Sequence, residues 1–227
     1  LPFEFSVRYD SASNQESSSL GKKWSHSYES TLQKARIQAD LDHDDTADAT
    51  DYEDIVLVRL PSGATEYFRC PQGDGLCNAT APRDQYVPRY AGIYGTLRQT
   101  APASWASFLY ETKDHVKYVF DVDLNSPDGN TTDEYEKYAL RTITDSNNNV
   151  LTLNYDYNER LDYVLDTRGT VFTFNYDSAG RLVSVEDLQG GGGGVILEHM
   201  DQAVDGTATK LRYTADMTDP TAWPAAF

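Results

Sequence analysis

The sequence predicts an all-β protein: antiparallel hairpins, stacked as a β-solenoid or curved sheet, with little helix. Three observations predict it. Aromatic and β-branched residues alternate with polar ones at a period of two. Runs of this kind are separated by Gly-, Pro-, Asp- and Ser-containing turns. The C-terminal half repeats itself at a fixed interval. The 16 Tyr and 8 Phe supply the large amphipathic rings that half-buried strands use well.

Taken in order, LPFEFSVRYDS places Phe3, Phe5, Val7 and Tyr9 on one face of an opening strand. A Ser-rich turn follows, then a segment carrying Trp24, Tyr28 and Leu32. Residues 40–54 form an acidic loop. IVLVRL and ATEYFRC flank PSG, and that turn between two β-rich runs reads as a hairpin. Residues 71–104, punctuated by Pro and Gly, read as loop with a few short strands. FLYET and VKYVFDVDL flank KDH as a second hairpin, with Val116, Tyr118 and Phe120 alternating. No stretch sustains an i, i+3, i+4 pattern beyond about two turns.

The repeat begins near residue 140. Leu140, Leu161 and Leu182 are 21 residues apart, as are Ile143, Val164 and Val185, and Asp145, Asp166 and Asp187. Leu151 and Leu153 map onto Phe172 and Phe174, Tyr155-Asp156 onto Tyr176-Asp177, Arg160 onto Arg181, and Gly169 onto Gly190. A fainter copy continues in Val195, Leu197 and Glu198. Each unit reads as strand, turn, strand, turn. One such hairpin cannot bury its apolar face alone, whereas stacked copies can. The expected divisions are a β domain with long loops over 1–138, repeats over 139–190, and a Gly run with a degenerate repeat or capping tail over 191–227.

NYDYNERLDYVLDTRGTVFTFNYDSAGRLVSVED resembles the YD repeats of RHS proteins in its Tyr-Asp pair, its GRL turn and its D-x-x-G step. LPFEFSVRYDS and GKKWSHSYESTL are similar to the domain that often precedes such repeats. The resemblance implies a YD-repeat β-sheet shell. Many such shells wrap a C-terminal toxin domain, and others serve in cell-surface contact. Two or three clear copies are too few to enclose anything alone, so this segment would form the start of a shell or a small non-enclosing relative.

A net charge of −17 repels phosphate backbones and anionic lipid, which argues against nucleic acid and membrane surfaces as partners. No apolar stretch is long enough for a spanning helix. Leu1 opens directly on strand-like sequence without a signal peptide, which reads as a processed or excised segment. The two cysteines, Cys70 and Cys77, flank PQGDG, turn chemistry that can bring two sulfurs together. A disulfide there implies an oxidising, extracellular compartment. Asn78 and Asn130 fit the N-glycosylation pattern.

Asp40, Asp42, Asp44, Asp48 and Asp51 occupy positions 1, 3, 5, 9 and 12 of a Ca²⁺-binding loop, making Ca²⁺ the one cofactor the sequence suggests. Against it, Asp45 stands where the sharp turn needs Gly, Asp51 is shorter than the usual bidentate Glu, and flanking helices are missing; a solvated acidic loop is the plainer reading. The histidines (His26, His43, His115, His199) are scattered over separate elements. His26 sits between Ser25 and Ser27, but no nucleophile elbow accompanies it. The recurring Asp residues read as turn caps. Tyr155 and Tyr176 read as stack residues, with a sugar-binding tyrosine row as the rival reading.

Together these features predict a non-enzymatic extracellular structural module, without a catalytic residue. It would contact neighbouring repeats or copies of itself. The alternatives are a surface adhesin, a carbohydrate-binding module recognising surface glycans, or a fibre subunit. A glycoside-active enzyme would need two carboxylates about 5–10 Å apart in a cleft.

Overall fold

A computed structural model describes residues 5–10, 19–20, 24–38, 52–69, 86–100, 107–124, 136–188, 194–199 and 209–214. Among them every regular element is a strand. In chain order these are β1 (Val7–Tyr9), β2 (Trp24–His26), β3 (Thr31–Gln38), β4 (Tyr52–Arg59), β5 (Thr65–Arg69) and β6 (Val87–Pro88). Next come β7 (Thr96–Gln99), β8 (Phe108–Glu111), β9 (Lys117–Asp123), β10 (Lys137–Thr144) and β11 (Val150–Tyr155). The chain continues with β12 (Leu161–Asp166), β13 (Gly169–Tyr176), β14 (Leu182–Asp187), β15 (Gly194–His199) and β16 (Thr209–Thr214). Pairing is antiparallel throughout, as the hairpin turns predicted. The chain divides into two compact units, residues 1–27 with 151–227, and residues 28–150.

In the unit of residues 28–150 the strand order is β6-β5-β4-β3-β10-β9-β8-β7. Beside β6, Tyr86 bridges Leu97 of β7, its N–H donating to the Leu97 carbonyl at 2.8 Å. The two ends of the run thus meet at an isolated bridge, and the sheet curls without closing into a barrel. Period-2 alternation decides what lies inside: Leu97 on β7, Phe108 and Tyr110 on β8, and Phe120 on β9 are buried. Phe68 meets Tyr110 with ring centroids 6.1 Å apart, and Phe108 meets Tyr138 at 5.2 Å, both within the range of favourable aromatic pairs. Burying each of these rings contributes about 1.5–3 kcal/mol.

In the other unit β11 to β16 pair in sequential order. The repeat positions behave as their period predicts. Leu161 and Leu182 are buried, as are Val164 and Val185, and Leu151, Leu153, Phe172 and Phe174, and their counterparts Leu140 and Ile143 are buried in the 28–150 unit. The bulge also recurs: register shifts between Asn154 and Tyr155, and again between Asn175 and Tyr176, so that Tyr155 faces Leu161 and Tyr176 faces Leu182. The faint third copy forms a strand, β15, with Val195 paired to Val185. Gly194 opens that strand, and the rest of the Gly run, Gly190 included, lies outside the described residues.

The opening segment forms a strand only at Val7–Tyr9, and Phe3 lies outside the described residues. β1 pairs with β2 as a separate two-stranded sheet, which packs on the repeats. Phe5 lies 5.9 Å from Phe174, and the Leu182 N–H donates to the Ser19 carbonyl at 2.8 Å. Segments far apart in sequence are joined here through side chains more than through a ladder.

One loop geometry recurs across the molecule. In Leu60–Ala64, Thr112–Val116, Asp145–Asn149, Asp156–Arg160 and Asp177–Arg181 the first N–H donates to the fifth carbonyl, and the fourth N–H to the first carbonyl. The fourth residue has positive φ in each: Gly63 81°, His115 61°, Asn148 64°, Glu159 61° and Gly180 79°. This is a type I turn followed by a left-handed residue, whose twist suits a hairpin.

Candidate functional site

The chemistry-bearing residues of the repeats act on their own backbone. Asp156 Oδ1 accepts the Asn158 and Arg160 N–H groups, each at 2.9 Å, while Oδ2 receives Arg160 Nε at 2.9 Å. Asp177 repeats the pattern with Ala179, Arg181 and Arg181 Nε at 2.9, 2.9 and 2.7 Å. Burial alone would raise the Asp156 carboxyl, but the Arg160 guanidinium and the two N–H donors outweigh it and hold it below the usual range. The Arg181 N–H leads the same downward shift at Asp177. Asp145 does the same work with Asn147 and Asn149, and Asp166 accepts the Arg168 N–H at 2.7 Å. The Arg160 guanidinium also lies 4.6 Å over the Tyr176 ring, whose hydroxyl donates to the Leu161 carbonyl at 2.8 Å. Tyr155 and Tyr176 are half-buried.

His26 is a core residue. It is buried between Phe5 and Phe174, at 5.6 and 5.7 Å, and that burial lowers its pKa from 6.5 to about 3. Such a group is neutral at ordinary pH. His115 is exposed at a loop, 2.9 Å from Glu111 Oε1. His43 lies outside the described residues, and for His199 only the backbone is described.

Sequence reasoning missed two polar clusters. The first is inside the curled sheet: Lys34, buried on β3, pairs with Glu136, which also accepts the Tyr138 hydroxyl at 2.7 Å. Lys34 Nζ lies 5.7 Å over Phe108. A polar residue in the strand TLQKARIQ gives no sign of a partner 102 residues away. The second lies at the outer end of the β4-β5-β6 run. Glu53 accepts Arg69 Nε at 2.7 Å and Arg89 Nε at 2.8 Å. The Arg89 guanidinium sits 4.9 Å over the Tyr90 ring and hydrogen-bonds its hydroxyl, and Tyr90 packs edge-on against Tyr67 at 5.7 Å. Two guanidinium groups thus share one carboxylate near the exposed Tyr90, on a protein of net charge −17. Arg69 and Arg89 sit in different segments, and only the pairing of β5 with β6 brings them together.

The candidate Ca²⁺ ligands Asp40, Asp42, Asp44, Asp48 and Asp51 lie outside the described residues, as do Cys70, Cys77, Asn78 and Asn130. Among the described residues no three His, Cys, Asp or Glu side chains group to hold a metal, and no helix is long and apolar enough to cross a membrane.

Residues 1–59 match a family model described as a domain of unknown function, DUF6531. No curated protein matches the sequence. The matched segment supplies β1 and β2 to one unit and β3 and β4 to the other.

Proposed function

We propose that the chain is a non-enzymatic extracellular structural module, contributing to the wall or cap of an RHS/YD-repeat shell. The observation that carries this reading is the recurrent hairpin loop, in which an Asp carboxylate accepts backbone N–H groups and is held in turn by an Arg of the same loop. Residues that recur at every repeat and bond their own turn build a scaffold. A reacting group, by contrast, is a singular feature aimed at a substrate. Export would permit a Cys70–Cys77 disulfide and glycosylation at Asn78 and Asn130. The acidic segment Asp40–Asp51 would add Ca²⁺ sensitivity, which a melting shift on chelation would reveal. The module would pack against neighbouring repeats and, in a shell that wraps one, enclose a C-terminal toxin domain.

Electron microscopy of the full-length gene product tests the proposal. A hollow β-shell with this segment in its wall or at its end supports it, whereas a solid particle without a shell sinks it. A second reading, a carbohydrate-binding or adhesive surface, is favoured by the Arg69–Glu53–Arg89 cluster with its exposed Tyr90.

A further inference from the structure

The cluster at the outer end of β4-β5-β6 contains more cation than the strands need. Arg89 alone clamps this corner. Its Nε bonds Glu53 at 2.8 Å, its N–H donates to the Tyr67 carbonyl at 2.8 Å, its guanidinium stacks on Tyr90, and its side chain is only 17% exposed. These contacts hold down β6, a two-residue strand whose Pro88 has no N–H to donate. Arg69 is placed differently. It touches Glu53 through Nε at 2.7 Å and keeps its side chain 52% exposed. Among the described residues, Arg69 shares with Arg89 the one carboxylate that pairs with either of them.

Linked to Arg69 through Glu53 and Arg89, Tyr90 is 51% exposed, its ring braced by Arg89 and by Tyr67. A fixed ring with an open side suits the C–H face of a sugar, which stacks on aromatic carbon. An adjacent guanidinium suits a carboxylate, which it can grip with two parallel hydrogen bonds. We propose that Arg69 and Tyr90 form a binding site for an acidic sugar, a uronate residue of a glycan, with Arg89 and Glu53 as positioning residues. Charge complementarity selects the occupant: an acid group would give the two guanidinium groups that share Glu53 a second carboxylate, which a neutral sugar would not. The net charge of −17 disfavours a long polyanion, so the match is to one or a few acid groups held at short range. The site is independent of the shell reading, because it lies outside the repeats.

The test is calorimetric titration of the chain with a galacturonate tetramer, with its fully methyl-esterified form and with tetraglutamate. The acid sugar is expected to bind at least tenfold tighter than the ester, which has the same rings and no charge, and tighter than the peptide. Arg69→Ala is expected to weaken binding at least tenfold while leaving the melting temperature unchanged. Arg89→Ala is expected to lower the melting temperature as well. No heat at millimolar sugar, equal binding of acid and ester, tetraglutamate binding as tightly as the sugar, or an unaffected Arg69→Ala would each overturn the assignment.

Discussion

The hairpins of the repeats and the earlier ones at residues 60–64 and 112–116 close with the same backbone loop but lock it with different side chains. At Asp156 and Asp177 a carboxylate takes two N–H groups and an arginine of the same loop. At Thr112 a hydroxyl takes the Val116 N–H alone, at 3.1 Å. Within LPSGA the Ser62 hydroxyl accepts the Ala64 N–H at a longer 3.4 Å. The hydrogen-bonded turn and its left-handed fourth residue are therefore the common element, and the Asp–Arg lock is an addition to it. Sequence comparison sees the lock, and so it sees the repeats begin only near residue 140. The structure shows the underlying hairpin loop already in place at residue 60.

The largest effect should come from the repeat core. Phe174→Ala removes a buried ring held by Phe5 and His26, and is expected to cost about 3–5 kcal/mol. Hydrogen exchange should accelerate first in β1, β2, β13 and β14. A melting temperature equal to that of the parent would refute the stacked-repeat packing.

Acid should act next, on the same aromatic sandwich. With the folded pKa of His26 at about 3 and the ordinary value at 6.5, the unfolded chain takes up a proton that the folded chain refuses between those pH values. Stability is unaffected above pH 6.5 and falls as pH drops through the window, by on the order of 3 kcal/mol at pH 4. The depressed carboxyls of Asp156 and Asp177 act in the same direction, since the stability they provide above the ordinary Asp pKa is lost as pH falls. Urea midpoints measured against pH should flatten between pH 6.5 and 4 in His26→Leu; an unchanged slope would show that His26 does not carry the effect.

The loop locks rank below the core. Asp156→Ala is expected to cost about 1 kcal/mol, because it leaves two N–H groups to water at a partly exposed turn. Thr112→Ala should cost about half as much, and Ser62→Ala close to nothing. Equal losses at all three would mean that the Asp–Arg lock adds nothing to the shared turn. A further pair of substitutions tests the backbone itself. Gly180→Ala places a Cβ at φ 79° with only an ordinary contact to Arg160 nearby, so its cost, about 1 kcal/mol, is conformational. Glu159→Gly should move stability the other way in chemical denaturation, because it relieves a non-Gly residue from φ 61°.

Much of this fold was legible from alternation and turn chemistry, both of which are local. The hairpins at PSG and KDH and the buried rows at 21-residue spacing follow from them. The packing of β1 and β2 on the repeats was not legible, because it depends on Phe5 and His26 meeting Phe174, and no local pattern records that meeting. The core position of His26 was not legible either, because its flanking serines give no sign of burial. The Glu53–Arg69–Arg89 cluster was hidden for the same reason: Arg89 and Glu53 are 36 residues apart and meet only after β4, β5 and β6 have paired.

The five-residue loops also bear on the order of folding. Each closes a hairpin between neighbours in sequence, a search that takes about 1–10 microseconds and costs little loop entropy. The pairing of β3 with β10 is of another kind, since Lys34 and Glu136, which seal it, are 102 residues apart. Contacts of such long range slow folding. Refolding is expected to show fast hairpin formation followed by a slower step. Removing the long-range ion pair with Lys34→Met should alter the slow step and leave the fast one in place.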